Sequence, residues 1–424
     1  MLQLNFIREN KKDVISGLKK RGFNNFDLIE NILCQDDLRK KTQAILDDQL
    51  SKANLIAKKI GLLLKSGEKE KAEILKSKSI DLKKNNKELE ETLNKIEDEL
   101  TQLRYQIPNV PNKIVIKGFS EKDNQEIEKF GKFPKLNQSN CLPHWELAKK
   151  YNLIDFDLGS KITGAGFPVY IDKGAKLQRA LINYFLDKNI SSGYKEIQAP
   201  YLVNEESGIG TGQLPDKDGQ MYHIIKDDLY LIPTAEVPLT NIFRNEIIEE
   251  KDLPICLTGY TPCFRREAGS YGSDVRGLNR LHQFDKVEVI RIETPGNSEI
   301  ALKKMIQLVK KILLELKLHS RIIRLCGGDL GFTSSITYDF EVFSAAQKKW
   351  LEVSSVSNFN NFQAERLKLR YRKKSGLKNL VHTLNGSSLA LPRVIAALLE
   401  NNQTKDGIVI PKTLVPYTGF DLIS

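Results

Sequence analysis

Between Thr261 and Glu288 the chain reads TPCFRREAGSYGSDVRGLNRLHQFDKVE, and two parts of this string can do chemistry. Phe264-Arg265-Arg266-Glu267 closes one run, and His282-Gln283-Phe284-Asp285-Lys286-Val287-Glu288 opens the next across a glycine-rich, charged loop. The pattern reads as strand, long polar loop, strand: a hairpin that presents Arg265 and Glu267 to a bound ligand. A guanidinium is a planar fork suited to phosphate oxygens, and a carboxylate accepts hydrogen bonds from amines. One Arg-x-Glu alone is also an ordinary exposed ion pair; the entire string asks for more.

At 424 residues the chain is too long for one compact unit, and two or three domains are expected. Its hydrophobic fraction of 40% suffices for at least one large core. A net charge of +11 favours a polyanionic partner, because each Lys or Arg that meets a phosphate releases a counterion. A Lys-rich composition inherited from a biased genome explains the same charge, so both readings stand at this point. The five cysteines, Cys34, Cys141, Cys256, Cys263 and Cys326, form no C-x-x-C pair. They suggest neither a disulfide framework nor a zinc site. The first residues, MLQLNFIRENKK, lack the apolar core of a signal peptide, and no apolar run approaches the roughly 20 residues that span a bilayer. The expectation is a cytoplasmic protein with no membrane contact.

From about residue 27 to 105 the chain is almost free of proline and shows a 3-4 spacing of apolar residues. Leu46, Leu50, Ala53, Ala57, Ile60 and Leu64 make one seam. After Ser66-Gly67 a second seam runs through Leu75, Leu82, Leu89, Leu93, Ile96, Leu100 and Leu103, with Asn86 as a polar insert. Two seams joined by a short glycine turn predict an antiparallel helical hairpin, each helix about 40 Å or longer. Such an arm is more often a spacer or oligomerisation element than a nucleic-acid reader. Pro108, Pro111 and Gly118 then break the helix. The boundaries expected are an N-terminal helical domain over 1–105, a polar linker over 106–135 and a second domain over 136–424. The last alternates β-rich runs with amphipathic helices (Leu177 to Lys188, Ala301 to Leu318), the pattern of an α+β fold in which antiparallel hairpins supply the site.

Familiar nucleotide signatures are absent. There is no P-loop, and Gly208-Ile209-Gly210-Thr211-Gly212 has the wrong spacing for a dinucleotide fingerprint, so it reads as a flexible loop near a site. Three other segments join the hairpin. Gly193 to Val203 is a strand ended by Pro200; Glu352-Val353-Ser354-Ser355 precedes Leu384-Asn385-Gly386-Ser387-Ser388-Leu389-Ala390-Leu391-Pro392-Arg393; and Thr234-Ala235-Glu236 follows a short strand, Leu229 to Ile232. Together they resemble motifs 1, 2 and 3 of the class II aminoacyl-tRNA synthetases, in the form carried by the bacterial seryl-tRNA synthetases. The resemblance covers essentially all 424 residues, arm included.

That resemblance implies a catalytic domain built on an antiparallel β-sheet flanked by helices, and a ligase that converts serine and ATP to seryl-adenylate before loading tRNA. Arg265 and Arg393 are then the catalytic cations on the α- and γ-phosphates. Arg266, Glu267, Phe284, Glu352, Val353, Ser354 and Ser355 complete the ATP site, with Glu267 on the adenine amino group and Phe284 against the base. Glu352 and Ser355 are the implied Mg²⁺ ligands, hard oxygen donors suited to that ion. Thr234, Ala235, Glu236, Glu288 and Ser387 form the serine site. The implied partners are a second copy of the chain, L-serine, ATP, and tRNA(Ser) reached by the arm across the dimer; where selenocysteine is made, tRNA(Sec) is a further substrate. No zinc is expected.

Two other function classes remain: a relative that loads a carrier protein, expected to lack the arm, and a coiled-coil binding protein with a degenerate synthetase body, against which Arg265, Glu267, Glu352 and Arg393 all stand intact. Some positions depart from family habit: Arg266, Val275 after Asp274, Ser388, Pro392, and Gly166 where Arg is frequent. His282 is expected to be a structural hydrogen-bonding residue, because the substrate carboxylate is already ionised at neutral pH and needs no imidazole base.

Overall fold

The computed structural model describes residues 1–134, 136, 141–216, 219–267 and 276–424. Contacts divide the chain into two compact units, one of residues 2–16 and 23–108, the other of Met1, 17–22 and 109–424. In the smaller unit, helices Asp27–Lys65 (39 residues) and Lys69–Tyr105 (37 residues) pack as an antiparallel pair, about 58 and 55 Å long at 1.5 Å per residue. Gly67, with φ 81°, makes the turn between them.

The second helix carries the seam expected of it. Leu93, Ile96 and Leu100 are buried, Leu75, Leu82, Leu89 and Leu103 are half-buried, and Ala72 and Asn86 continue the same heptad line. The first helix differs. Leu50, Ala57 and Leu64 point outward, and the half-buried line beyond Leu46 runs through Gln49, Ala53, Ile56, Ile60 and Leu63. Apolar residues on adjacent faces admit two stripes, and only the partner helix selects between them.

The larger unit is built on an eight-stranded sheet. Its strands are β1 (Gln125–Phe130), β2 (Lys195–Glu196), β3 (Ile255–Phe264), β4 (Gln283–Glu293), β5 (Ser320–Arg324), β6 (Ile336–Ser344), β7 (Lys349–Asn358) and β8 (His382–Ala390). They are ordered β1-β5-β6-β7-β8-β4-β3-β2, antiparallel throughout except for the short β2 beside β3. The fold is therefore the α+β arrangement expected. β1 lies inside the 106–135 stretch read as a linker: its charged Glu126, Glu128 and Lys129 suit a sheet edge and hide the strand from composition.

Helices Asp172–Ser191, Ser298–Glu315 and Leu391–Asn401 cover the sheet, and their Phe185, Val309 and Ile395 share one core with Val287, Val289, Val353 and Leu384 of the strands. Period-2 alternation then sends Lys286, Glu288 and Ile290 to the opposite face. The Gly208–Gly212 string, read as a loop, is instead part of a helix, Glu205–Thr211. Asn204 caps it through the Ser207 N–H, and Gly212 ends it at φ 94°. Its buried glycines allow close packing against Leu214 and Leu367.

Candidate active site

Two sheet neighbours set the floor of the site. Glu288 of β4 lies opposite Ser387 of β8, and Ile290 lies opposite Asn385. Above them the Thr234-Ala235-Glu236 segment enters a short helix, Glu236–Asn241. Thr234 Oγ1 donates to Glu288 Oε2 at 3.2 Å and accepts from Lys286 Nζ at 2.8 Å, and that ammonium also meets Glu288 Oε2 at 2.7 Å. Asn385 Nδ2 donates to Glu236 Oε2 (2.9 Å) and Glu288 Oε1 (3.1 Å). Gln363 Nε2 donates to Glu236 Oε1 at 2.6 Å and is itself held by the Thr383 hydroxyl at 2.7 Å. Burial pushes the Glu236 carboxyl up to about 7, with the Glu288 charge adding to it; the Gln363 hydrogen bond, Lys286 and Arg265 act the other way. Among the described residues the pocket thus holds two buried carboxylates, Glu236 at 6% exposure and Glu288 at 1%, and one buried lysine at salt-bridge distance. A small cation with hydrogen-bond donors fits that imbalance.

Ala235 sits differently. Its methyl is fully buried with Ala199, Leu239 and Leu257. Ser387 is buried, and its carbonyl accepts from Ser354 Oγ at 2.6 Å.

Arg265 follows β3 directly. Its guanidinium lies 5.2 Å from the Phe284 ring centroid, and its Nε donates to the Pro233 carbonyl at 3.3 Å. Stacking and one tether leave the fork preorganised for an anion. The backbone is fixed as well: Arg265 N donates to His282 O at 2.9 Å, and His282 Nδ1 lies 3.1 Å from Arg265 O. His282 stacks on Phe167 at 5.4 Å, the structural role expected of it. Arg266 covers the Tyr222 ring at 5.6 Å, and Glu267 pairs with Arg280.

On the far side, Arg393 stands in the first turn of helix Leu391–Asn401, where Pro392 costs no hydrogen bond. Its Nη1 donates to Glu352 O at 2.8 Å and lies 3.5 Å from the Glu352 carboxylate, while Nε donates to Asn279 O at 3.1 Å. Glu352 is about half exposed. Val353 turns into the core and Ser354 toward Ser387, which leaves Glu352 and Ser355 as the side chains of this segment open to a ligand. Asp339, cross-strand from Ser355, is held well above the usual carboxylate range by burial and by Glu352, and its Oδ1 has no hydrogen-bond partner. Among the described residues no group of three or more His, Cys, Asp or Glu could hold a metal by itself. Mg²⁺ fits nonetheless: it keeps several waters and needs only one or two protein oxygens plus substrate phosphates.

Family models match in two blocks, the seryl-tRNA synthetase N-terminal domain over residues 1–111 and the tRNA synthetase class II core domain (G, H, P, S and T) over 222–402. The serine–tRNA ligase of Salinibacter ruber is 49% identical over 99% of this chain and 98% of its own. The chain belongs to the seryl-tRNA synthetase family. It is thus a class II aminoacyl-tRNA synthetase, and its chemistry is ATP-dependent. Two solved members of the family superpose over the whole chain. One is the Pyrococcus horikoshii seryl-tRNA synthetase complexed with ATP (TM-score 0.90, 34% identity, 100% and 99% of the two chains). The other is the cytoplasmic serine–tRNA ligase of Naegleria fowleri with AMP (0.86, 26%, 100% and 99%). No helix among the described residues is long and apolar enough to cross a membrane.

The departures from seryl-tRNA synthetase habit mostly acquire reasons. Ser388 is buried and donates to Asn189 Oδ1 at 2.8 Å; Asn189 in turn donates to Thr258 Oγ1, which donates to the Glu288 carbonyl. Gly166 takes φ 85°, and a Cβ there would lie 2.5 Å from His282 Cδ2. Asp274 and Val275 lie outside the described residues. Lys286, Gln363, Thr383, Asn385, Asp339 and Arg280 were missed as site residues. For Lys286 and Asn385 the signal was present: each is two residues from an assigned pocket residue on one strand, hence on the same face. Gln363 comes from a separate helix, Phe362–Leu367, and carries no local signal.

Proposed function

We propose that the chain activates L-serine with ATP to seryl-adenylate, releasing pyrophosphate, and then transfers serine to the 3′ end of tRNA(Ser). The observation that carries this is the pair of buried carboxylates, Glu236 and Glu288, on the same sheet face as the Thr234 hydroxyl and beside the stacked Arg265.

Thr234 and Glu236 receive the substrate ammonium, and Glu288 with Ser387 receives its hydroxyl. Alanine would leave these buried groups unpaired, a loss worth roughly 10⁴ or more in discrimination. The serine carboxylate attacks the α-phosphorus, a C(O)O–P bond forms, and the bond to pyrophosphate breaks. Arg265 neutralises charge on the α-phosphate as that happens, and Arg393 holds the γ-phosphate; positioning and charge supply the catalysis. Phe284 gives the base an apolar face, and Glu267 leaves Arg280 to accept from the adenine amine. Glu352 and Ser355 would hold Mg²⁺, which when bound would supply charge neutralisation for the triphosphate. A terminal ribose hydroxyl of the tRNA then attacks the mixed anhydride and AMP leaves.

The helical arm is the tRNA-binding element, reaching across a homodimer to the variable arm and reading shape and phosphates, as A-form RNA allows. Where tRNA(Sec) exists it is charged with serine by the same route. Serine-dependent ATP–pyrophosphate exchange followed by charging of tRNA(Ser), against a tRNA lacking a long variable arm, tests the reading. Absence of exchange with serine sinks it; exchange without charging moves the chain to the carrier-loading class.

A further inference from the structure

Arg393 is gripped through a stretch of backbone that a second, buried cluster also grips. Its Nε donates to the carbonyl of Asn279. The Asn279 side chain runs the other way: Nδ2 donates to Gln347 Oε1 at 2.9 Å, and Gln347 Nε2 donates to Glu400 Oε1 at 2.8 Å. One residue earlier, the Leu278 N–H donates to His144 Nε2 at 2.8 Å. Because that nitrogen accepts, the imidazole proton is on Nδ1, which donates to the same Glu400 Oε1 at 2.7 Å. The His144 N–H donates there too at 3.0 Å, and Ser344 Oγ donates to Oε2. His144 and Glu400 are both completely buried. Gly277 makes the approach possible: a Cβ would meet His144 Nε2 at 2.3 Å.

Glu400 and Arg393 stand at opposite ends of one helix, Leu391–Asn401. The helix therefore holds residues 278 and 279 twice, by Arg393 at its first turn and by Glu400, through His144 and Gln347, at its last. Leu278 and Asn279 are themselves buried, and a buried carboxylate needs only enough donors to satisfy it. Here those donors connect onward, without a break, to the backbone that the phosphate-binding arginine uses.

We propose that Glu400, His144 and Gln347 are positioning residues that set the Asn279 carbonyl and thereby the Arg393 fork for the γ-phosphate of ATP. The inference rests on the role given to Arg393 above.

The test compares ATP with AMP, which has no γ-phosphate, using the full-length protein. Gln347→Met keeps the side-chain volume and removes both links; His144→Gln keeps an acceptor toward Leu278 and guards against a variant that does not fold. The expected result is a KM for ATP raised about tenfold, the scale of a small misplacement relayed to a reacting group. The Kd for AMP and the KM for serine should stay within about twofold. In an Arg393→Gln background the same substitutions should add nothing further, since their effect passes through Arg393. Equal weakening of ATP and AMP, or full additivity with Arg393→Gln, overturns the positioning role. If Arg393→Gln itself leaves the ATP-to-AMP ratio unchanged, the role of Arg393 fails and the positioning inference falls with it; if only the Gln347 and His144 variants are silent, the positioning inference falls alone.

Discussion

Asn385 on β8 donates to Glu288 on β4 at 3.1 Å, and the same nitrogen reaches Glu236 at 2.9 Å. One amide thus spaces two buried carboxylates that would otherwise face each other with little between them. Asn385→Ala should raise the KM for serine in pyrophosphate exchange by about tenfold to a hundredfold, the worth of hydrogen bonds to charged groups. The KM for ATP should change by no more than about twofold. A variant with unchanged serine dependence would remove Asn385 from the pocket.

With Glu236 in the proposed serine site, its elevated carboxyl should give serine binding a pH dependence. With the group lifted to about 7 by burial, much of the free protein carries it protonated below that pH. The serine ammonium favours the ionised form, so affinity should strengthen as pH rises through about 7, and binding at pH 6.5 should release a proton. Calorimetry in buffers of differing ionisation enthalpy measures this. Proton uptake would contradict it. The sign for folding is opposite: a raised carboxylate binds more protons when folded, so the ligand-free protein loses stability as pH rises from the ordinary carboxylate value toward 7.

In the proposed reaction Arg265 acts as charge and as shape. Arg265→Ala should lower exchange by about 10² to 10³ with no change in Tm beyond a few degrees, and Arg265→Lys should recover only a small part, because an ammonium lacks the planar fork and the stack on Phe284. Exchange kinetics beside a thermal melt decide it.

In the smaller unit, Asp36 is buried among Arg8 (2.8 Å), Arg39 (2.9 Å) and Lys40 (2.9 Å). Burial alone would raise its carboxyl, but hydrogen bonds from Lys40, Arg8 and Arg39 bring it down to about 2. A depressed carboxylate stabilises fully above its unfolded value near 4 and loses that contribution as pH falls through about 2. Helical circular dichroism should therefore show an acid transition between about pH 4 and 2 that Asp36→Asn shifts upward or abolishes.

Gly166 should tolerate no side chain. Gly166→Ala adds strain at φ 85° and drives His282 from its place, at a cost of about 1–3 kcal/mol. Because His282 braces the Arg265 backbone, exchange should fall together with Tm.

Much of this was legible in the chain itself. The Arg265-x-Glu267 and Phe284-to-Glu288 segments announced their hairpin, because strand alternation and a polar loop are local properties. The second arm helix showed its seam since Ala72 to Leu103 offers one apolar stripe; the first did not, since Leu50 and Gln49 compete for the same turn until a partner helix buries one line. β1 stayed hidden in a charged stretch because an edge strand needs no apolar signature.

The sequence by itself determined the family, the order of the motifs and the residue types proposed to meet phosphate and serine, all of which depend on neighbours along the chain. Only the tertiary structure decided that Gln363 and Thr383 reach Glu236, that Asn385 separates two carboxylates, and that His144 and Glu400 hold the backbone under Arg393. Those partners lie up to 256 residues apart, and hydrogen bonds act over about 3 Å, so folding alone brings them within reach.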